Sequence, residues 1–263
     1  MNDRDYFRNG VRVAAALAAA VLGFRCQGPP PDPAVPDPTA EWTRPAPSRV
    51  AVSGRVVLAG APPARERHEL DDPMAAVAGA AEYVDETWLV GPEGGVANCV
   101  VTLEPLDGAA SPPPGPLEPA LYEKVGPRFE PRVLVVPVGT RVTLRNRDSP
   151  CNGFASRGGR AVQFNRMLPA GEEFQVEFSR RERVLLSCPV RPYMRGAIVA
   201  VDTPYHALTD ESGSFAIEGV PPNEYQVRLW HEAAGYAPLP GVLPLQVDAD
   251  DPPRLTLRLG ADE

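Results

Sequence analysis

Histidine is nearly missing from this chain: His68, His206 and His231 are the whole supply in 263 residues. A histidine-rich metal site is therefore not expected on inventory. Too few histidines exist to serve a Ser–His–Asp arrangement, and no nucleophile-elbow motif occurs, so no enzymatic activity is expected. Positive charge is also short. The formal net charge is −8, whereas a general nucleic-acid binder needs a basic face to displace counterions, so no nucleic-acid partner is expected. Long helical periodicities are absent. Cysteine is limited to Cys26, Cys99, Cys151 and Cys188, and Cys99, within Asn98-Cys99-Val100-Val101, reads as a small packing hydrophobe in a strand. The acidic runs Asp71-Asp72, Glu172-Glu173 and Asp248-Ala249-Asp250-Asp251 lack calcium-loop spacing and read as turns.

What the chain has in quantity is proline (33 residues) and glycine (23 residues), the composition of an all-β protein with many turns plus a linker. Arg4, Arg8 and Arg12 precede the apolar run Val13 to Phe24, about the length of a signal core and short for a membrane span. Residues 1–26 are thus expected to be an export signal or N-terminal anchor. Cys26 is the candidate lipidation site, since a polar, proline-rich stretch follows it as in a bacterial lipoprotein signal; Arg25 departs from that pattern, which wants a small residue there. An exported protein of the periplasm or cell envelope, tethered to the membrane by the anchor or a lipid, would fold where disulfides form. Residues 27–49 read as an extended, disordered proline-rich tether.

Runs with strand character follow: Val50 to Leu58, Glu86 to Val90, Ala97 to Leu103, Arg132 to Val136, Arg141 to Asn146, Glu173 to Phe178, Val184 to Leu186 and Ala197 to Val201. Met74 to Glu82 is the one short helix expected, and Pro105 to Pro119 reads as a surface loop. The expectation is a Greek-key β-sandwich over 50–202, then a separate β module over 203–263. In the latter, Thr209-Asp210-x-x-Gly213-x-Phe215-x-Ile217-x-Gly219-Val220-Pro221-Pro222-x-x-Tyr225 resembles the carboxypeptidase regulatory-like repeat. That resemblance implies a small transthyretin- or Ig-like β-sandwich and carries no activity.

Within 50–202, Arg132-Val133-Leu134-Val135-Val136-Pro137-Val138-Gly139-Thr140 leads into Val142-Thr143-Leu144-Arg145-Asn146-Arg147-Asp148. Phe164-Asn165, Pro169-Ala170-Gly171 and the loop Cys188-Pro189-Val190-Arg191-Pro192-Tyr193-Met194 come later. Together these resemble a cupredoxin, and with the regulatory-like module the chain resembles exported two-module proteins labelled methylamine-utilisation or plastocyanin-like. The family's cysteine ligand falls on Cys188 and its axial methionine on Met194. Its two histidine ligands fall on Cys151 and Arg191. Arginine has no lone pair to offer and stays protonated, so the His₂Cys plane of a blue-copper centre cannot be assembled.

The resemblance therefore implies a vacated site with no cofactor. Two thiols would face each other across it, and in an oxidising compartment a Cys151–Cys188 disulfide is the simplest outcome. Two free structural thiols stay open, as does a soft Cu(I) site of Cys151, Cys188 and Met194, which would make copper the cofactor, and so does an electron-transfer cupredoxin. Arg157 and Arg160, with Arg191 and Arg195, are a candidate patch for an anion or a partner. His231 is expected to bond a backbone carbonyl, His206 to lie in a strand or loop near the module junction, and His68 to be solvated surface. The expected function is binding or scaffolding at the envelope, towards a protein or polysaccharide.

Overall fold

The computed structural model describes residues 48–108, 117–148, 152–234 and 243–260. The expected signal, Cys26, the tether and Cys151 lie outside the described residues. In chain order the elements are β1 (Val50–Leu58), β2 (Arg67–Glu69), α1 (Asp72–Ala78), β3 (Glu82–Val84), β4 (Val100–Pro105), β5 (Ala120–Val125) and β6 (Arg128–Glu130). Then come β7 (Val133–Pro137), β8 (Arg141–Asn146), β9 (Asn152–Arg157), β10 (Asn165–Leu168), β11 (Glu173–Glu177), β12 (Glu182–Ser187) and β13 (Arg195–Val201). The last are β14 (His206–Leu208), β15 (Ser214–Val220), β16 (Asn223–Trp230), β17 (Leu243–Val247) and β18 (Arg254–Leu259). The protein is all-β, as expected, and among the described residues no helix is long and apolar enough to cross a membrane.

Four sheets stack as two sandwiches. In the first, the sheet β10-β9-β12-β13-β7 faces the sheet β11-β8-β5-β6. Tyr122, Phe129, Leu144, Phe154, Leu186 and Ile198 fill the space between them. The stretches whose sequence resembles a cupredoxin lie in this unit, with the Cys188 loop joining β12 to β13 at one end. In the second, β15-β1-β18 faces β14-β4-β16-β17 across Val52, Val56, Leu103, Phe215, Tyr225 and Leu257.

The grouping expected from sequence, 50–202 followed by 203–263, differs from the observed pairing. β1 runs antiparallel to β15 and parallel to β18, and β4 lies between β14 and β16. Strands from both ends of the globular region thus build the second sandwich, and the first is inserted between β4 and β14. The physical reason is burial: the alternating C-terminal strands expose an apolar face that the N-terminal pair must cover.

The two sandwiches share a middle layer. Val100 of β4 and Trp230 of β16 pack against Val133, Ala197, Val199 and Val201. β13 is consequently buried on both faces, its even residues in one core and its odd ones in the other, which explains its unbroken apolar run. Gly196 within it is required by close approach, since a Cβ there would meet the Tyr122 hydroxyl at 2.1 Å. The expected strand Glu86 to Val90 reduces to a single bridge between Val90 and Val96.

Candidate functional site

The loop after β12 is a closed turn: Met194 N donates to Arg191 O at 2.9 Å and Cys188 N to Met194 O at 3.3 Å. It turns Cys188 and Met194 into the first core, at 1% and 0% exposure. Among the described residues, Cys188 is bonded to no other cysteine. Its expected disulfide partner, Cys151, lies outside the described residues, so that pairing stays an expectation, as does the all-sulfur copper set that would include Cys151.

Arg191 does not point to water. It is 6% exposed, and both terminal nitrogens are committed. Nη1 donates to Asn152 Oδ1 at 2.8 Å, and Nη2 donates to Asp71 Oδ2 at 2.8 Å. Asp71 is therefore more than an acidic turn. It is the N-cap of α1, its Oδ1 accepting from Met74 N at 3.1 Å, while its other oxygen balances the buried guanidinium. Asn152 Nδ2 in turn reaches Asn146 Oδ1 at 3.4 Å, and Asn146 Nδ2 donates to Leu168 O.

A second cation sits beside this chain of contacts. Lys124, the single lysine of the sequence, pairs in register with Asn146 on β8. Its side chain is fully buried, with Nζ 3.3 Å from Asp148 Oδ2, which also accepts from Gly126 N. Burial pushes its pKa down; Asp148 and, more weakly, Cys188 oppose that, while Arg191 adds to it. Sequence reasoning missed Lys124, although a lone lysine at an inward position beside Tyr122 was a usable signal. It missed Asp71 as a partner because 120 residues separate it from Arg191.

Among the described residues, no three His, Cys, Asp or Glu side chains come together as metal ligands. The histidines lie apart. His68, expected on the surface, is half-buried and stacks on Tyr193 at 5.2 Å, closing the side of the loop. His206 Nδ1 meets Thr203 O at 3.0 Å in β14, and burial lowers its pKa. His231 is fully buried against Trp88; its Nδ1 accepts from Ala233 N at 3.3 Å, rather than bonding a carbonyl as expected. Burial, then Arg132, lowers its pKa to about 4. Cys99 is buried in the second core, where burial pushes its thiol up to about 12.

The four arginines expected as one patch are divided. Arg157 and Arg195 line a common groove. Arg191 is inside, and Arg160 sits in a turn whose backbone N–H groups, with those of Ala161 and Val162, donate to Glu182.

No family model matches the chain, and no curated protein matches it. Several solved structures resemble part of it. A Cu-containing nitrite reductase from Thermus scotoductus SA-01 shares 28% identity over 37% of this chain, with a TM-score of 0.30. A purple cupredoxin from Nitrosopumilus maritimus shares 25% over 31% (TM-score 0.28, 99% of that chain covered), and a reduced amicyanin variant 19% over 38% (0.30, 99%). The chain spans 27% of the length of the nitrite reductase.

Proposed function

We propose that this chain is a non-catalytic, exported binding and scaffold protein built on a cupredoxin-like sandwich whose blue-copper site has been given up. The single observation that carries this reading is Arg191. At the position of a ligand histidine stands a permanent cation, buried and fixed by Asp71 and Asn152. A guanidinium cannot ligate, and a copper ion beside it would meet like charge at low dielectric. Lys124 adds a second buried cation within electrostatic reach of Cys188. The residues present therefore do not fit a His₂Cys copper ion, and the interior is neutralised by carboxylates instead: Asp71 for Arg191 and Asp148 for Lys124.

On this reading the Cys188 loop is an architectural closure, held by the stack of His68 and Tyr193. The N-terminal segment, with Cys26 lipidated or as an uncleaved anchor, would present the sandwiches at the envelope to a protein or polysaccharide. The test is metal analysis and visible spectroscopy of protein isolated after native export, then copper reconstitution under reducing conditions with competition by a Cu(I) chelator. No thiolate-to-copper band and no stoichiometric copper are expected. An intense visible band would overturn the reading, and Cu(I) retained against the chelator would replace it with a sulfur site of Cys151, Cys188 and Met194.

A further inference from the structure

Three segments distant in sequence wall a groove of about 410 Å³. Pro62, Pro63 and Arg65 follow β1, Trp88 to Gly91 precede the turn at Pro92, and Glu211 lies in the turn between β14 and β15. Hydrogen bonds fix these walls. Gly91 N donates to Gly95 O at 2.8 Å and Ala97 N to Leu89 O at 3.0 Å. Arg55 ties two walls together, its Nε donating to Ser212 O at 2.7 Å and its Nη2 to Pro92 O at 2.9 Å. Asp210 Oδ1 accepts from Ser212 N and Ser214 N, which sets the turn that carries Glu211. Where two walls meet, a Cβ on Gly91 would come within 2.5 Å of Glu211 O, so only glycine fits there.

Trp88 supplies the apolar surface. It is half-buried, packed on the second core, with its ring 4.7 Å from that of His231. The part left uncovered lines the groove. Two exposed side chains of opposite charge stand beside it. Arg65 is anchored by Nε, which donates to Asp85 O at 2.6 Å, and its two terminal nitrogens form no bond among the described residues. The Glu211 carboxylate likewise has no ion pair or hydrogen bond among them. The groove therefore combines an aromatic surface, a free donor fork and a free acceptor, and the two charges cancel.

We propose that this groove binds a neutral hexose unit of a polysaccharide, an apolar C–H face of the sugar packing on Trp88 and its hydroxyls bonding Glu211 and Arg65. A hydroxyl both donates and accepts, so a sugar uses both charged groups. A carboxylate or phosphate would satisfy Arg65 but meet Glu211 as like charge. A proline-rich peptide would also cover the indole, yet prolyl residues have no N–H to give Glu211. Tryptophan offers a large, rigid apolar face, and walls already fixed by hydrogen bonds lower the ordering cost of binding. This rests on the binding reading above and deepens it by choosing polysaccharide over protein.

The experiment is isothermal titration of the exported, full-length chain with two neutral glycans, cellohexaose and N-acetylchitohexaose, with the Trp88 indole N–H followed by NMR. Trigalacturonate is the charged comparator and octaproline the peptide one. Saturable heat and a shifted Trp88 signal are expected with at least one glycan and with neither comparator. Glu211→Gln is expected to weaken binding about tenfold and Arg65→Gln about fivefold, whereas Glu218→Gln, exposed on β15 outside the groove, leaves it unchanged. Trp88→Leu is expected to remove saturation. Because Trp88 also packs on the second core, Glu211→Gln and Arg65→Gln, with melting curves matching the parent, decide the matter should that variant not fold. The proposal is overturned if neither glycan saturates, if either comparator binds as tightly, or if Glu211→Gln binds normally. Its failure is distinct from failure of the scaffold reading, which is decided by copper content.

Discussion

Removing the Glu232 carboxylate should do more harm than removing the whole ion pair to which it belongs. Arg132 and Glu232 side chains are 6% and 4% exposed, with Arg132 Nε donating to Glu232 Oε1 at 2.5 Å. Burial alone would lower the Arg132 pKa, but the Glu232 carboxylate overrides this and holds it above the ordinary arginine value. Arg132 also donates to Tyr83 and Thr87, so one guanidinium ties the entry to β7, β3 with the segment after it, and the turn after β16. Glu232→Gln keeps the volume and strands the cation, for a loss of about 3–5 kcal/mol. For a globular region of this size that is a fall in Tm of roughly 6–20 °C. The paired change Arg132→Met with Glu232→Leu removes both charges and should recover most of the loss, ending within about 2 kcal/mol of the parent. Urea unfolding followed by tryptophan fluorescence is a suitable assay, because Trp88 packs against His231 and Trp230 lies in the shared layer. A Glu232→Gln loss below about 1 kcal/mol would refute the reasoning. A double variant as unstable as the two single changes added together would do the same.

Other outcomes follow from the same chemistry. His231 stays neutral in the fold down to a pKa of about 4, against 6.5 for an ordinary imidazole. The unfolded chain therefore binds the extra proton first, and stability falls as pH drops through this window. The loss is on the order of 3 kcal/mol in acid titrations, and His231→Phe should abolish that slope. Lys124 has the opposite placement on the scale: its depressed pKa means that folding gains stability as pH rises towards the ordinary lysine value. Lys124→Met should flatten the alkaline limb of the stability curve measured by denaturant unfolding. The Cys99 thiol, raised to about 12, should resist alkylation at pH 8 until denaturant is added, and labelling of the native protein at that position would contradict its burial. Arg191→Ala removes the donor from Asp71 Oδ2 and Asn152 Oδ1, for an expected loss of about 1–3 kcal/mol in the same unfolding assay.

Strand positions were legible because alternation is a local signal. β1 and β8 coincide with their sequence expectations, and β11, β12 and β13 differ only at their ends. β5 was not read, since Leu121-Tyr122-Glu123-Lys124 mixes inward aromatics with a lysine whose burial depends on Asp148, a partner brought by the β8 register. Pairing was the other blind spot. Val50–Leu58 has the apolar pattern of a strand for either sandwich, and nothing local says that Val52 will sit opposite Ile217. At the candidate site, the departures from the histidine positions that the resemblance implies were visible in Arg191 and Cys151 themselves. The counter-charge for Arg191 was not, because Asp71 arrives from the capping turn of α1.

Because Thr102 and His206 are register partners in the β4–β14 ladder, the polypeptide departs for the first sandwich and returns from it at almost one point. That geometry lets the connections to the first sandwich be lengthened without opening the β4–β14 ladder, whereas excising that sandwich would uncover Val100 and Trp230 and strip Glu232 of Arg132. Truncating the second sandwich has no licence either. A fragment starting near Thr203 would leave β15, β16 and β18 with naked edges where β1 and β4 belong, and such edges recruit other chains.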